Sequence, residues 1–373
     1  MEAAEPQLTP TVLVLVKGLG VGGAERLIAD GAKHWDRSRY DYHVAYILPW
    51  KDHLVGDLTA LGVSVSCLGS QRGVGPGTPW RLWRLVRSLG VNLIHAHLPS
   101  AGIISRLMPR VPVVYTEHNL ADSYRTATRI ANRMTYGLNQ AVIAVSEAVA
   151  GSIRDFPGPQ TQIVPNGVEV HQSPGAAAAA REWLNLSPTD PLVVHVGNIR
   201  PHKGHKTLLA AADHIIGQRP DATIVSIGGE KHRGDLDRLR SQAAALGLSD
   251  RLRFLGTRDD ALSFVAAANI FVNPSDVEGL PVAILEAQAL ARPVVATRVG
   301  GVPSVVLNDV TGKLVEAGDA AELAKQVLML LESPSEAREL GSRAQALVDE
   351  HHSLEKMIRR YEQIYDSVLR SDQ

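Results

Sequence analysis

At 373 residues the chain exceeds what one hydrophobic core usually serves, so two domains of ordinary size are expected. Its 45% apolar share excludes a disordered chain, and a formal net charge of −1 gives no overall field for holding nucleic acid. No run approaches the roughly 20 apolar residues of a membrane span.

The opening "MEAAEPQLTP" is acidic where a secretory leader is basic. Cys67, the single cysteine, can form no internal disulfide and is read as a small core residue. A soluble, reduced, cytoplasmic protein is expected. The charge is uneven: residues 1–165 hold 16 basic against 12 acidic residues and the remainder 22 against 27, so the first half is set to meet something anionic.

Short apolar runs follow one another, each leading into a helical pattern. The first half has "TVLVLV", "HVAYIL", "VSVSCL", "LIHAH", "VVYT" and "AVIAV"; the second has "LVVHVG", "TIVSIG", "LRFLG", "IFVNP" and "VVAT". Nearly continuous apolar strands alternating with helices mean parallel sheets covered on both faces, so the fold class is α/β with two doubly wound domains. Their boundary falls near "FPGPQTQIVPNGVEV", where prolines and a glycine cluster around one short strand. A ligand is expected in the cleft between the domains, at the carboxyl ends of the strands. "GAAAAAREWLNL" reads as the helix leading into the second sheet, and "SLEKMIRRYEQIYDSVL" as a terminal amphipathic helix.

"GLGVGG", residues 18–23, follows the first strand and fits a glycine loop whose backbone approaches a phosphate or sugar. A nicotinamide site is not indicated, because the second strand ends in Pro49 and Asp52 lies beyond it rather than at the strand tip. "VGNIRPHKGHKT" places Arg200 and Lys203 between a strand and a helix N-terminus, where two cations can hold a diphosphate. In "DVEGLPVAILEAQA", Gly279 and Pro281 keep "EGLP" out of the helix, and Pro281 suits its first turn. Glu278 therefore stands in the loop and Glu286 near the second helical turn.

"HAH" (His95, His97) and "TEHN" (His118) end successive strands of the first domain. His95 and His97 are read as pointing to opposite faces of their strand, a poor joint metal site, and one imidazole as a hydrogen-bonding or acid-base group. "PWRLWRLVRSLG" combines Trp80 and Trp83 with Arg81, Arg84 and Arg87 on one helical side. That pattern fits either an ordinary covered helix or peripheral contact with anionic membrane.

Together these residues resemble the GT4 family of retaining glycosyltransferases, which have the GT-B fold. The likeness runs through "GGAE", "HAHLPSAG", "TEHN", "VSEAV", "VPNGV", "RPHKG", "FLG", "PSDVEGLPVAILEAQA" and "GGVPSVV" to the terminal helix. It implies an N-terminal acceptor domain over residues 1–165 and a C-terminal nucleotide-sugar domain over 166–352, with the last helix, about 353–373, packed back on the first. The implied reaction moves a sugar from a nucleotide diphosphate sugar, most readily a UDP-sugar, to a glycan, lipid-linked or small-molecule acceptor. No cofactor or metal is implied.

By position, the resemblance puts Glu278 beside the donor sugar with the amides of Gly279 and Leu280, and Glu286 on the ribose. Lys203 falls on the diphosphate and His118 near the transfer site, with the Gly22–Gly23 loop over the donor. Arg200 is expected to supply the cation that the family carries at the position of Asn198, and Ser304 stands where an acid is frequent. The alternatives are a nucleotide-sugar epimerase of the same architecture and a catalytically silent binding protein.

Overall fold

The computed structural model describes residues 9–69, 75–171 and 173–371; the acidic start at residues 1–8 and the last two residues lie outside them. The chain divides into two compact units, residues 1–166 with 354–373, and residues 167–353.

Unit 1 holds a seven-stranded sheet of order β3-β2-β1-β4-β5-β6-β7, parallel throughout. The strands are β1 (Thr11–Val16), β2 (Asp41–Tyr46), β3 (Ser64–Cys67), β4 (Leu93–His97), β5 (Val113–Glu117), β6 (Ala141–Ala144) and β7 (Thr161–Ile163). The central strands are buried on both faces, which is why they read as unbroken apolar runs rather than as alternation. Edge strand β3 is not so covered. Cys67 is accordingly exposed, against the expectation of a core thiol.

One face of this sheet is covered by the helices Thr78–Leu89 and Pro99–Ser105, whose Leu82, Val86, Ala101 and Ile104 share a core with Ile94, Ala96 and Tyr115. The terminal helix Leu354–Ser371 lies against unit 1 elsewhere. Its Tyr365 hydroxyl bonds His95 Nδ1 at 2.6 Å, Glu362 accepts from Tyr42, and Asp366 accepts from Tyr40 and from Arg39. The apolar spacing of the terminal segment thus becomes one wall of the first unit.

Unit 2 holds a six-stranded parallel sheet of order β10-β9-β8-β11-β12-β13. Its strands are β8 (Leu192–Val196), β9 (Thr223–Ile227), β10 (Leu252–Gly256), β11 (Ile270–Asn273), β12 (Val294–Thr297) and β13 (Gly312–Val315). The sequence reading missed β13. It is short, begins with glycine and carries Lys313, whose buried ammonium is held by Asp309 at 2.8 Å and Glu336 at 2.7 Å. A buried lysine between two carboxylates gives no apolar signal, although its stem still packs.

Candidate functional site

Unit 2 brings two of the expected residues into direct contact. Lys203 ends the short 3-10 turn Pro201–Lys203 after β8, and Glu278 lies in the loop after β11, its neighbour in the sheet. Lys203 Nζ donates to Glu278 Oε1 at 2.7 Å and Oε2 at 2.9 Å, and Ser275 Oγ donates to Oε1 at 2.7 Å. Glu278 is buried and Lys203 half-buried.

The two loops are seated on each other by backbone. Asp276 N–H donates to the His202 carbonyl at 2.9 Å. Gly204 has φ +68° and a Cβ there would stand 1.8 Å from the Pro274 carbonyl oxygen; Gly300, φ +51°, would put one 1.7 Å from that of Glu278. Only glycine permits these approaches. Sequence reasoning passed over Ser275, Gly204 and Gly300 because each matters only where another loop comes close.

Asn198 is occupied. Its Oδ1 accepts from the Gly229 amide at 3.0 Å and ties the β8 loop to the β9 loop. Arg200 sits half-buried two residues on, and its side chain forms no hydrogen bond or ion pair among the described residues. The Arg200 guanidinium, three residues before Lys203 in the chain, is thus uncommitted among the described residues. Ser304 turns to backbone, donating to the Gly301 carbonyl at 2.7 Å.

The helix after Glu278 spans Val282–Ala289, with Pro281 at the N-cap in extended conformation rather than in the first turn. Gly279 and Leu280 are buried, and Glu286 projects half-buried from the start of the second turn. Unit 2 thus gathers Lys203 and Glu278, with Arg200 and Glu286 on the same two loop-to-helix passages.

Gly22, Gly23 and His118 belong to unit 1. Gly22 is the N-cap of the helix Gly23–Gly31, and a Cβ on it would lie 2.3 Å from Glu25 Oε2, so the buried Glu25 carboxylate folds over the loop. Lys51 closes the loop from the other side: its carbonyl accepts from the Leu19 amide at 2.7 Å, and its ammonium stands 3.9 Å from Glu25. Gly18 allows this, since a Cβ there would be 2.7 Å from the Lys51 stem.

His118 is buried and its Nε2 lies 3.0 Å from His97 Nδ1. The expectation for the histidine pair is overturned: the His95 and His97 rings lie side by side with centroids 4.1 Å apart and planes inclined by 39°, on one face of β4. Residues two apart on a strand share a face. His95 is held by the Tyr365 hydroxyl and by Thr116 Oγ1 at 2.7 Å. Burial pushes His118 down to about 4 and His95 to about 3, and His97 well below the usual range, so all three rings are neutral at pH 7. Among the described residues no group of three or more His, Cys, Asp or Glu side chains is arranged to hold a metal ion.

On the opposite face of β5, Glu117 is fully buried, accepts from Tyr115 and Tyr124, and is raised to about 7 by burial.

Two doubly wound parallel sheets with charged loops at the carboxyl ends of their strands have the GT-B fold. The structure of HepE from Anabaena, in complex with UDP and glucose, superposes with a TM-score of 0.85 at 23% identity, over 96% of this chain and 100% of that one. The family of glycosyl transferases group 1 matches residues 178–347, and glycosyltransferase family 4 matches residues 21–172. The chain belongs to the GT4-type glycosyltransferases.

Two curated relatives are similar in sequence. The GDP-mannose-dependent monoacylated alpha-(1-6)-phosphatidylinositol monomannoside mannosyltransferase of Corynebacterium glutamicum is 32% identical over 56% of this chain and 57% of its own length. N-acetyl-alpha-D-glucosaminyl L-malate synthase of Bacillus anthracis is 29% identical over 76% of each. The matched segment thus spans little more than half of the first relative. Among the described residues no helix is long and apolar enough to cross a membrane.

Proposed function

We propose that this chain transfers a sugar, with retention of anomeric configuration, from a nucleotide diphosphate sugar to a hydroxyl of a glycan, lipid-linked or small-molecule acceptor. The observation that carries the reading is the pairing of Lys203 with Glu278, an ammonium and a carboxylate that chain positions 75 apart deliver to one point between two strand-end loops. The donor we assign is a UDP-sugar, held by unit 2; the acceptor is assigned to unit 1. The expected place of work is cytoplasmic, in peripheral contact with the inner face of the membrane.

In this reading Glu286 holds the ribose, Glu278 and the Gly279 and Leu280 amides orient the sugar, and Lys203 with Arg200 faces the diphosphate. The bond from the sugar's anomeric carbon to the diphosphate oxygen breaks, and the leaving oxygen keeps the electron pair. The acceptor oxygen bonds to that carbon on the same face and passes its proton to the departing phosphate oxygen. The developing charge is met by fixed protein cations, an arrangement in which one donor is worth about 100-fold to 1000-fold in rate. His118, neutral and buried, is assigned a hydrogen bond near the transferred sugar, and the Gly22–Gly23 loop the closure over it.

The test is a panel of UDP- and GDP-sugars with and without acceptors, read as free nucleotide diphosphate and glycosylated product. Acceptor-dependent release of UDP is the expected result. Release of GDP from GDP-mannose alone would reassign the donor, and no release from any member would remove the reading.

A further inference from the structure

Unit 2 carries a concavity that sugar transfer does not use. A groove of about 820 Å³ opens where the chain enters β11 and β12, so it lies at the amino ends of the strands, whereas Lys203 and Glu278 stand at the carboxyl ends. The helices Ala176–Trp183, Ala261–Ala267, Ala320–Glu332 and Pro334–His351 wall it. Its volume falls within the roughly 300–1,000 Å³ of small-molecule sites. Leu186, Leu330 and Leu331 give it apolar surface. The alanine run of the first helix leaves it open, because Ala177 and Ala178 line it where longer side chains would fill it. Sequence reasoning took that run only as a helix former.

Positive charge dominates inside. Arg181, Arg292 and Arg338 line the groove with one acid, Glu182, and none of the four forms an ion pair among the described residues. Arg181 is wholly spent on the fold: its guanidinium donates to the carbonyls of Ala267, Ser187 and Asp190 and to Asn269 Oδ1, at 2.8 to 3.1 Å. Arg292 is only half spent. Its Nε donates to the Leu290 carbonyl at 2.9 Å and its Nη1 to that of Ala268 at 3.1 Å, and its Nη2 has no partner among the described residues. Arg338 is exposed and forms no bond among them. Burial holds Arg292 below its usual pKa and Arg181 adds to the effect, so like charges share an apolar wall without a counter-ion. Arg292 follows Ala291, whose φ of +54° lies in the left-handed region that alanine rarely takes. Gly341 closes on that turn, since a Cβ there would stand 2.2 Å from the Ala291 carbonyl oxygen. Strain of this kind collects at ligand sites.

We propose that this groove binds a small organic anion, a carboxylate or phosphate head on an apolar body, with the head on Arg292 and Arg338 and the body against Leu186, Leu330, Leu331 and the alanine run. The free edge of a guanidinium matches the paired oxygens of either head. A bare inorganic anion would leave the apolar walls without a role, and a neutral ligand would leave the arginines without a counter-ion. A second copy of the chain is a poor occupant, because the same groove rim on both partners would set arginine against arginine. The proposal goes beyond sugar transfer and rests on unit 2 alone.

The experiment is calorimetric titration of the full chain with decanoate, decyl phosphate, decanol and acetate. Decanoate or decyl phosphate is expected to bind at a single site, with decanol and acetate each about 10-fold weaker or more, since one lacks the charge and the other the apolar body. Excess UDP should leave that binding unchanged, which separates the groove from the nucleotide site. Arg292→Gln should weaken it about 10-fold. Arg338→Gln, at an exposed side chain without bonds, should weaken it roughly 5-fold and serves if loss of the Arg292 carbonyl contacts unfolds the chain. Ala178→Trp keeps the charge and should abolish binding by filling the groove; unchanged melting temperatures verify that both of these variants fold. No binding of either anion, decanol binding as tightly as the anions, full binding by Arg338→Gln and Ala178→Trp, or displacement by UDP would overturn the proposal. So would a concentration-dependent dimer that Ala178→Trp dissolves, which would give the groove to a second copy.

Discussion

Lys203 Nζ stands within hydrogen-bonding distance of both carboxylate oxygens of Glu278, at 2.7 and 2.9 Å, and Ser275 fills a third acceptor position of the same carboxylate. The cation assigned to the leaving diphosphate is thus held by the acid assigned to the sugar. The pair solves an electrostatic problem: Glu278 is buried, and a buried carboxylate without a partner is costly. A diphosphate that takes Lys203 must do so in competition with Glu278.

That competition separates the two acids. Glu278→Gln is expected to lower turnover by about 100-fold while nucleotide diphosphate binds as tightly or more so, because Lys203 is released to it. Glu286→Gln is expected to raise the Michaelis constant with turnover largely kept, since ribose contacts serve ground and transition states alike. Titration calorimetry with UDP and steady-state kinetics on both variants check this; equal rises in the Michaelis constant alone would contradict it.

Arg200 and Asn198 divide differently from what a cation-for-cation exchange at one position would give. Asn198 is spent on the Gly229 amide, so Asn198→Ala is expected to cost about 1 kcal/mol of stability with little direct loss of turnover. Arg200→Met removes the uncommitted guanidinium and is expected to cut turnover about 100-fold in a stably folded protein. An Arg200→Met enzyme of normal turnover at saturating donor would leave Lys203 as the only side-chain cation assigned to the diphosphate.

Buried imidazoles make a pH prediction with a definite sign. His118 is lowered to about 4 and His95 to about 3, and His97 and His195 lie well below the ordinary value. The unfolded chain therefore binds more protons than the folded one below pH 6.5, and the stability contributed by these neutral rings, complete above that pH, is lost as pH falls towards 4. Glu117 acts oppositely: raised to about 7, it favours the fold at low pH and loses that contribution as pH rises from its unfolded value near 4.5 through 7. These histidines, with buried His205 also lowered to about 4, outweigh the one carboxyl and predict a urea midpoint that falls between pH 7 and pH 5. Glu117→Gln should steepen the fall. A midpoint that rises over this range contradicts the assignment.

Metal dependence follows from where the positive charge comes from. With Lys203 and Arg200 assigned to the diphosphate, activity is expected to persist in excess EDTA. Loss of activity with chelator and its return with magnesium would show that a cation outside the chain neutralises the leaving group.

The sequence by itself determined the two-sheet architecture, because parallel strands covered on both faces must be apolar throughout. It also placed Glu278, Lys203, Arg200 and His118 where strands pass into helices, and Glu286 near the second turn of the helix that follows Glu278. Short elements with a buried charge escaped it, as β13 with Lys313 did, and so did exposure at a sheet edge, as with Cys67. Only tertiary structure decided who touches whom. Lys203 meets Glu278 because β8 and β11 are neighbours in the sheet. Asn198 is taken by a loop from β9, Arg81 is drawn to Leu68 while Arg84 and Arg87 stay outside, and His95 reaches Tyr365 from the far end of the chain. Each of these contacts joins segments far apart in sequence or turns one residue of a helix away from its neighbours, and local pattern carries no record of either.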